Sequence, residues 1–185
     1  MQITDTVNDE QLMQAVLQQR DQQAFMELVK RWKQPLMAYF YRQLRQREIS
    51  EELLQEVFVK VWSNRNYQSK GQFKAWIYRL AHNIWVDYLR KQKISVQELS
   101  EHHMGETQSP EEDLLANERI EQVHTALLQL PSSQRELLVM SRFHDLKHSE
   151  IADITGSSRN TVKVQIFRAI KNLAKKLKEV DHVSS

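Results

Sequence analysis

Residues 147–178 read KHSEIADITGSSRNTVKVQIFRAIKNLAKKLK, and their pattern decides the fold of the C-terminal part of the chain. Glu150 to Thr155 is a short helical stretch, Gly156-Ser157 is a turn, and about Arg159 to Leu177 is a longer helix, which together outline a helix-turn-helix. At 100° per residue, Val162, Ile166, Ala169, Ile170, Leu173 and Leu177 fall on one side of the second helix and form a core stripe. The opposite arc carries Asn160, Lys163, Val164, Phe167, Arg168 and Lys171, with Arg159 at its start. Cations and an amide beside apolar groups suit a duplex groove: guanidinium and ammonium groups reach guanine or phosphate, and methyl and aryl groups reach thymine. A solvated basic face on a bundle helix is the alternative reading.

Upstream, Ser132 and Ser133 after Leu130-Pro131 predict caps for a helix ending near His144. Ser109-Pro110-Glu111-Glu112 predicts the start of another, running to about Gln129. Between Ile94 and Ser109 apolar periodicity fails and Gly105 interrupts, so this stretch reads as a linker. Adjacent His102 and His103 project apart with no further ligand in sight, which favours solvation over metal binding.

Toward the N-terminus, Asn8 with Gln11 predicts a capping box opening a helix to about Gln19. A second helix from about Asp21 carries Phe25, Leu28, Val29, Trp32, Leu36, Tyr39, Phe40 and Leu44, with Pro35 predicting a kink or break. Ser50 before Glu51 and Glu52 reads as an N-cap, followed by the stripe Leu53, Leu54, Val57, Phe58, Val61. A polar loop, 64–71, precedes a helix from about Gln72 to Lys93. Phe73, Trp76, Ile77, Leu80 and Ile84 make its buried stripe, while Arg79, Asn83, Val86 and Arg90 align on one flank. Cations and amides in such a row suit an unpaired strand, and Tyr67 offers a ring for stacking.

The expected fold is therefore all-α: two small helical domains joined by a flexible linker, with boundaries 1–93, 94–109 and 110–185. Three Gly, three Pro and 41% apolar residues including four Trp agree with helices around real cores. The absence of cysteine excludes disulfides, thiolate zinc sites and a thiol nucleophile, and suits a reducing cytoplasm. No apolar run approaches a membrane span, so no direct membrane insertion is expected. The net charge of +2 conceals segregation: 14 basic against 5 acidic residues over 30–93, 1 against 8 over 94–123, and 10 against 6 over 124–185. Two basic blocks around an acidic connector point to a polyanion partner. Nothing resembles a metal cluster, a phosphate loop or a nucleophile-base pair, so neither catalysis, a cofactor nor a small-molecule substrate is expected.

Several segments also resemble the extracytoplasmic-function sigma factors of RNA polymerase. Glu52-Leu53-Leu54-Gln55-Glu56-Val57-Phe58 is similar to their D-L-x-Q-E-x-F segment. Phe73 to Asn83, with Asp87 and Arg90-Lys91, is similar to F-x-x-W-L-x-R-I-A-x-N…D…R-K. Leu130-Pro131, Arg135, Glu150-Ile151-Ala152, Thr161-Val162-Lys163 and Phe167-Arg168-Ala169 follow the family's L-P…R…E-I-A…T-V-K…R-A pattern. The match spans nearly all of 22–178 in order. It implies that Glu52, Gln55, Glu56 and Phe58 dock on the coiled-coil clamp of core RNA polymerase. It implies that Tyr67, Arg79, Asn83 and Arg90 hold the melted minus-10 strand of promoter DNA. Arg159, Asn160, Lys163, Val164, Phe167, Arg168 and Lys171 would meet the minus-35 duplex, and an anti-sigma partner is implied. Glu52, Lys147, Ser157, Asn160 and Val164 depart from the family's usual residues, Lys147 predicting a frayed helix start. The competing reading is a helix-turn-helix regulator that binds duplex without polymerase; residues 50–91 would then carry their motifs to no purpose.

Overall fold

The computed structural model describes residues 7–98 and 117–183. These form α1 (Asp9–Gln19), α2 (Gln22–Leu44), α3 (Arg47–Ser63), α4 (Phe73–Glu98), α5 (Asn117–Leu128), α6 (Ser132–Phe143), α7 (His148–Thr155) and α8 (Arg159–Val183). The described chain is all-helical, with α1–α4 and α5–α8 as two bundles. The greater part of the expected linker, the Ser109 cap, and His102 and His103 lie outside the described residues. Residues 94–98, expected to begin that linker, extend α4.

Local chemistry explains most helix ends. The Asn8 side chain accepts from the Gln11 N–H at 2.9 Å and the Gln11 side chain accepts from the Asn8 N–H at 3.0 Å, closing the expected capping box. Asp21 caps α2 through the N–H groups of Gln23 and Ala24. The Lys147 N–H donates to the Glu150 carboxylate at 2.7 Å, so α7 begins firmly at His148 without a serine cap.

Three start and stop expectations need correction. α2 runs through Pro35 as one helix. An interior proline costs about 3 kcal/mol, but Leu28, Leu36, Tyr39 and Phe40 flank it fully buried, each contributing about 1.5–3 kcal/mol. Ser50 is not a cap: α3 starts at Arg47, and the buried Ser50 hydroxyl donates back to the Gln46 carbonyl at 2.7 Å. Neither Ser132 nor Ser133 caps α6, whose N-cap is Pro131 with no side-chain bond.

The two bundles share one hydrophobic core. Met13, Leu28, Tyr39, Val57, Ile77 and Trp85 from the first are continuous with Val139, Met140, Leu146, Ile151 and Ile166 from the second. A smaller cluster of Leu127, Leu130, Leu138 and Ala169 completes the C-terminal bundle. The seam is also polar. The Tyr39 hydroxyl donates to Glu136 Oε1 at 2.5 Å, and His82 Nδ1 lies 2.7 Å from the same oxygen. Tyr78 and His144 share a hydrogen bond of 2.7 Å, and the Arg42 guanidinium covers the Phe143 ring at 4.5 Å. Burial first, then the cations Arg42 and Lys74, depress the His144 pKa to about 3, so its imidazole is neutral.

This seam revises the α4 stripe. Phe73, Ile77 and Ile84 are buried as expected, but Trp76 and Leu80 are half-buried, and Tyr78, Ala81 and Trp85 are buried instead. α4 meets α3 on one side and α7 on another, so two faces are covered where amphipathic spacing implied one. In α8, Ile170 is 36% exposed, which removes it from the core stripe.

Candidate nucleic-acid interface

The helix-turn-helix is held by a glycine turn. Gly156 has φ 66°, a left-handed conformation that closes α7, and the Ser157 N–H donates to the Ala152 carbonyl at 3.0 Å. Space is open where a Cβ would stand, so the demand for glycine is conformational rather than steric. The Ser158 hydroxyl accepts from the Thr161 N–H at 3.0 Å and starts α8. Ile151 and Ile154 of α7 then pack with Val162 and Ile166 of α8 to set the angle between them.

That packing turns the other side of α8 outward. Arg159, Asn160, Lys163, Val164, Phe167, Arg168 and Lys171 are all exposed, Phe167 at 66%. A phenyl ring left that open amid four cations is unfavourable in water and is matched by a surface offering both phosphate and base methyl groups.

On α4, Arg79, Asn83, Val86 and Arg90 form the expected exposed row. It is not wholly vacant. Arg79 Nη2 donates to the Asp153 carbonyl of α7 at 3.2 Å, and Arg90 pairs with Asp87 at 2.8 Å. Tyr67 lies beside this row, not on it. Its ring meets Trp76 edge-on at 4.6 Å, and its hydroxyl donates to Glu10 at 2.6 Å. Burial, and then the bond to Glu10, raise the Tyr67 pKa. Trp76 precedes Arg79 by three residues and Asn83 by seven, so its half-exposed indole joins Tyr67 to the row. Its aromatic character had assigned it to the core; the spacing was the available signal.

On α3, Glu52 and Gln55 are exposed, while Glu56 and Phe58 are half-buried. Glu56 pairs with Lys60 at 3.3 Å, and Phe58 stands edge-on to Phe25 at 6.4 Å. Gln55 and Phe58 line a groove of about 740 Å³ between α2 and α3, whose opposite wall is Val29, Lys33, Met37 and Tyr41. Those four recur at four-residue spacing along α2, so the spacing itself is the sequence signal for this wall, although Val29 also fits the core stripe.

Comparison with known proteins agrees with this architecture. The family model for Sigma-70 region 2 matches residues 28–94, and that for Sigma-70, region 4 matches residues 120–173. RNA polymerase sigma factor SigV of Bacillus subtilis (strain 168) is 30% identical over 134 residues, covering 72% of this chain and 76% of that protein. ECF RNA polymerase sigma factor SigW of the same organism is 26% identical over 172 residues, covering 86% and 92%. The sigma factor RpoE, solved in complex with the anti-sigma factor NepR from Bartonella quintana, has the same fold. It superposes with a TM-score of 0.74 at 21% identity, covering 83% of this chain and 96% of that one. With regions 2 and 4 matched on the bundles that carry the two exposed cationic rows, the chain belongs to the extracytoplasmic-function sigma factors, non-enzymatic subunits that direct RNA polymerase to initiate at specific promoters.

Proposed function

We propose that residues 1–93 dock polymerase and hold the minus-10 strand, that residues 110–185 read the minus-35 duplex, and that 94–109 connects them in the cytoplasm. Core polymerase engages Glu52, Gln55, Glu56 and Phe58, with Val29, Lys33, Met37 and Tyr41 completing the groove. Tyr67, Arg79, Asn83 and Arg90 hold the melted strand. Arg159, Asn160, Lys163, Val164, Phe167, Arg168 and Lys171 meet the duplex.

The observation that carries this reading is the pair of exposed polar and cationic rows on α4 and α8, each opposite a buried face. Among them, Arg79 and Asn83 are one helical turn apart. There a guanidinium can neutralise a phosphate while an amide bonds an unpaired base edge. Neither contact offsets unstacking in intact duplex, so both act after melting. Because Arg79 bonds the Asp153 carbonyl of α7, strand capture also requires its guanidinium to turn away from that carbonyl.

An anti-sigma protein is a further proposed partner, supported by likeness to RpoE, whose solved complex contains one.

The test is run-off transcription with core polymerase, followed by permanganate footprinting of Arg79→Ala and Asn83→Ala. Both variants should form closed complexes yet lose about 10–100-fold in strand capture, including on a pre-melted bubble. Full activity on the bubble would exclude strand binding by these residues.

A further inference from the structure

The first turn of α1 has no part in the contacts proposed above, yet it holds the loop that carries Tyr67. Both oxygens of the Glu10 carboxylate are engaged. Oε2 accepts from the Tyr67 hydroxyl at 2.6 Å and from Ser69 Oγ at 2.7 Å. Oε1 accepts from the Phe73 backbone N–H at 2.8 Å. One carboxylate therefore joins the middle of the loop, its later part and the first residue of α4.

The neighbouring acid does different work. Asp9 accepts from Arg31 and from the Trp32 indole at 3.0 Å, fixing α1 to α2. The capping box of Asn8 and Gln11 closes the same turn without touching the 64–72 loop. At the loop's entry, Asn64 Oδ1 accepts from the N–H groups of Asn66 and Tyr67 at 2.9 and 2.7 Å. The entry is set locally; the exit depends on Glu10. Burial opposes ionisation of Glu10, but the bonds from Tyr67, Ser69 and Phe73 outweigh it and lower its pKa. The acceptor is accordingly ionised at neutral pH, and its hydrogen bonds are charge-assisted.

The consequence concerns the wall beside the α4 row. Tyr67 has a specific angle to Trp76, 63° between rings, because its hydroxyl is tethered at one end and its backbone at the other. Without the tether, a solvent-facing loop samples many conformations, and a strand must order it on binding.

We propose that Glu10 is a positioning residue for minus-10 recognition: it holds the 64–72 loop and the Tyr67 ring in place beside Trp76, Arg79 and Asn83 before the strand arrives. This rests on the reading that Tyr67 and the α4 row hold the melted strand. Glu10 itself touches no nucleic acid in this role. Its effect appears as selectivity among minus-10 bases.

The full chain is assayed with core polymerase on promoters varied through the minus-10 element, using permanganate reactivity and run-off yield. Glu10→Ala should lower open-complex occupancy about tenfold at the preferred element and flatten discrimination among bases. Glu10→Gln keeps one acceptor and should fall between. Affinity for core polymerase should stay within about twofold of the unaltered protein. Asn8→Ala is the control for simple weakening of α1, since it removes a cap from the same turn and leaves the carboxylate. A uniform loss at every element, weaker polymerase binding, or the same profile from Asn8→Ala would show Glu10 to be only a structural staple and overturn the proposal. Arg79→Ala and Asn83→Ala run alongside on a pre-melted bubble. If they keep full strand capture, the underlying reading fails and this one with it; if they are defective while Glu10→Ala is not, only the role of Glu10 falls.

Discussion

The two surfaces proposed for nucleic acid differ in readiness. The α8 arc lies open: Phe167 stands in solvent, and the cations around it are exposed. The α4 row is partly spoken for, because Arg79 bonds the backbone of α7 and α7 packs along α4. Both rows sit on helices anchored by an opposite apolar face, so helix geometry alone does not separate them. The difference lies in what the other bundle covers. A duplex-reading face can be presented at all times, whereas a face for unpaired strand is useful only after melting.

The strongest way to break this comparison is to open the seam. Glu136 is 6% exposed and accepts from Tyr39 while pairing with His82. Glu136→Ala leaves both partners without that acceptor and should destabilise the chain by about 3 kcal/mol. Denaturant unfolding measures the loss, and small-angle scattering should show a larger radius as the bundles part. Unchanged scattering and stability would mean that the seam does not hold them together.

Acid tests the same seam through His144. The unfolded imidazole takes a proton near pH 6.5, while the folded one stays neutral to about 3. Within that window the unfolded state binds more protons, so this stability is present above about pH 6.5 and is lost as pH falls. The loss approaches about 1.4 kcal/mol per pH unit, or about 2 kcal/mol between pH 6 and 4.5. The depressed pKa of His124, caused mainly by burial, acts in the same direction. His144→Asn should flatten the profile of melting temperature against pH in that range; an unchanged slope would locate the sensitivity elsewhere.

Arg168→Ala sharpens the contrast from the open side. A lost bidentate contact should cost about 1–2 kcal/mol at promoters with a strong minus-35 element, with polymerase affinity unaltered. Since α8 is already exposed, the effect should be the same with or without Glu136→Ala. Non-additivity would tie the α8 arc to the seam after all.

The smallest expected effect is on the stability of Arg79→Ala. Its bond to Asp153 is long and exposed, so unfolding free energy should change by less than about 1 kcal/mol. A larger drop would make any initiation defect structural in origin.

How far such surfaces are legible depends on the range of the forces that form them. The exposed arc on α8 follows from 100° spacing, and all seven of its expected residues are exposed. The Asn8 box and the Gly156 turn likewise involve neighbours within a few positions. On α4 the same reasoning found the row but misplaced Trp76 and Leu80 and missed Tyr78 and Trp85, because helix period identifies one apolar face and gives no warning of a second bundle against another. Pro35 shows the same limit from the opposite side: its local cost is real, but burial contributed by distant helices exceeds it.

By itself the sequence determined the helices, the turn of the helix-turn-helix and the two outward rows, since hydrogen bonds and periodicity within one or two turns set them. Only the tertiary structure decided that Glu10 reaches Tyr67 across 57 positions, that Glu136 meets Tyr39 across 97, and that Arg79 bonds the Asp153 carbonyl of α7. Each of these acids has the same composition and local propensity as its solvated neighbours. What distinguishes them is which donor is brought within hydrogen-bonding distance when the bundles bury their apolar faces, and that is settled by packing across the whole chain.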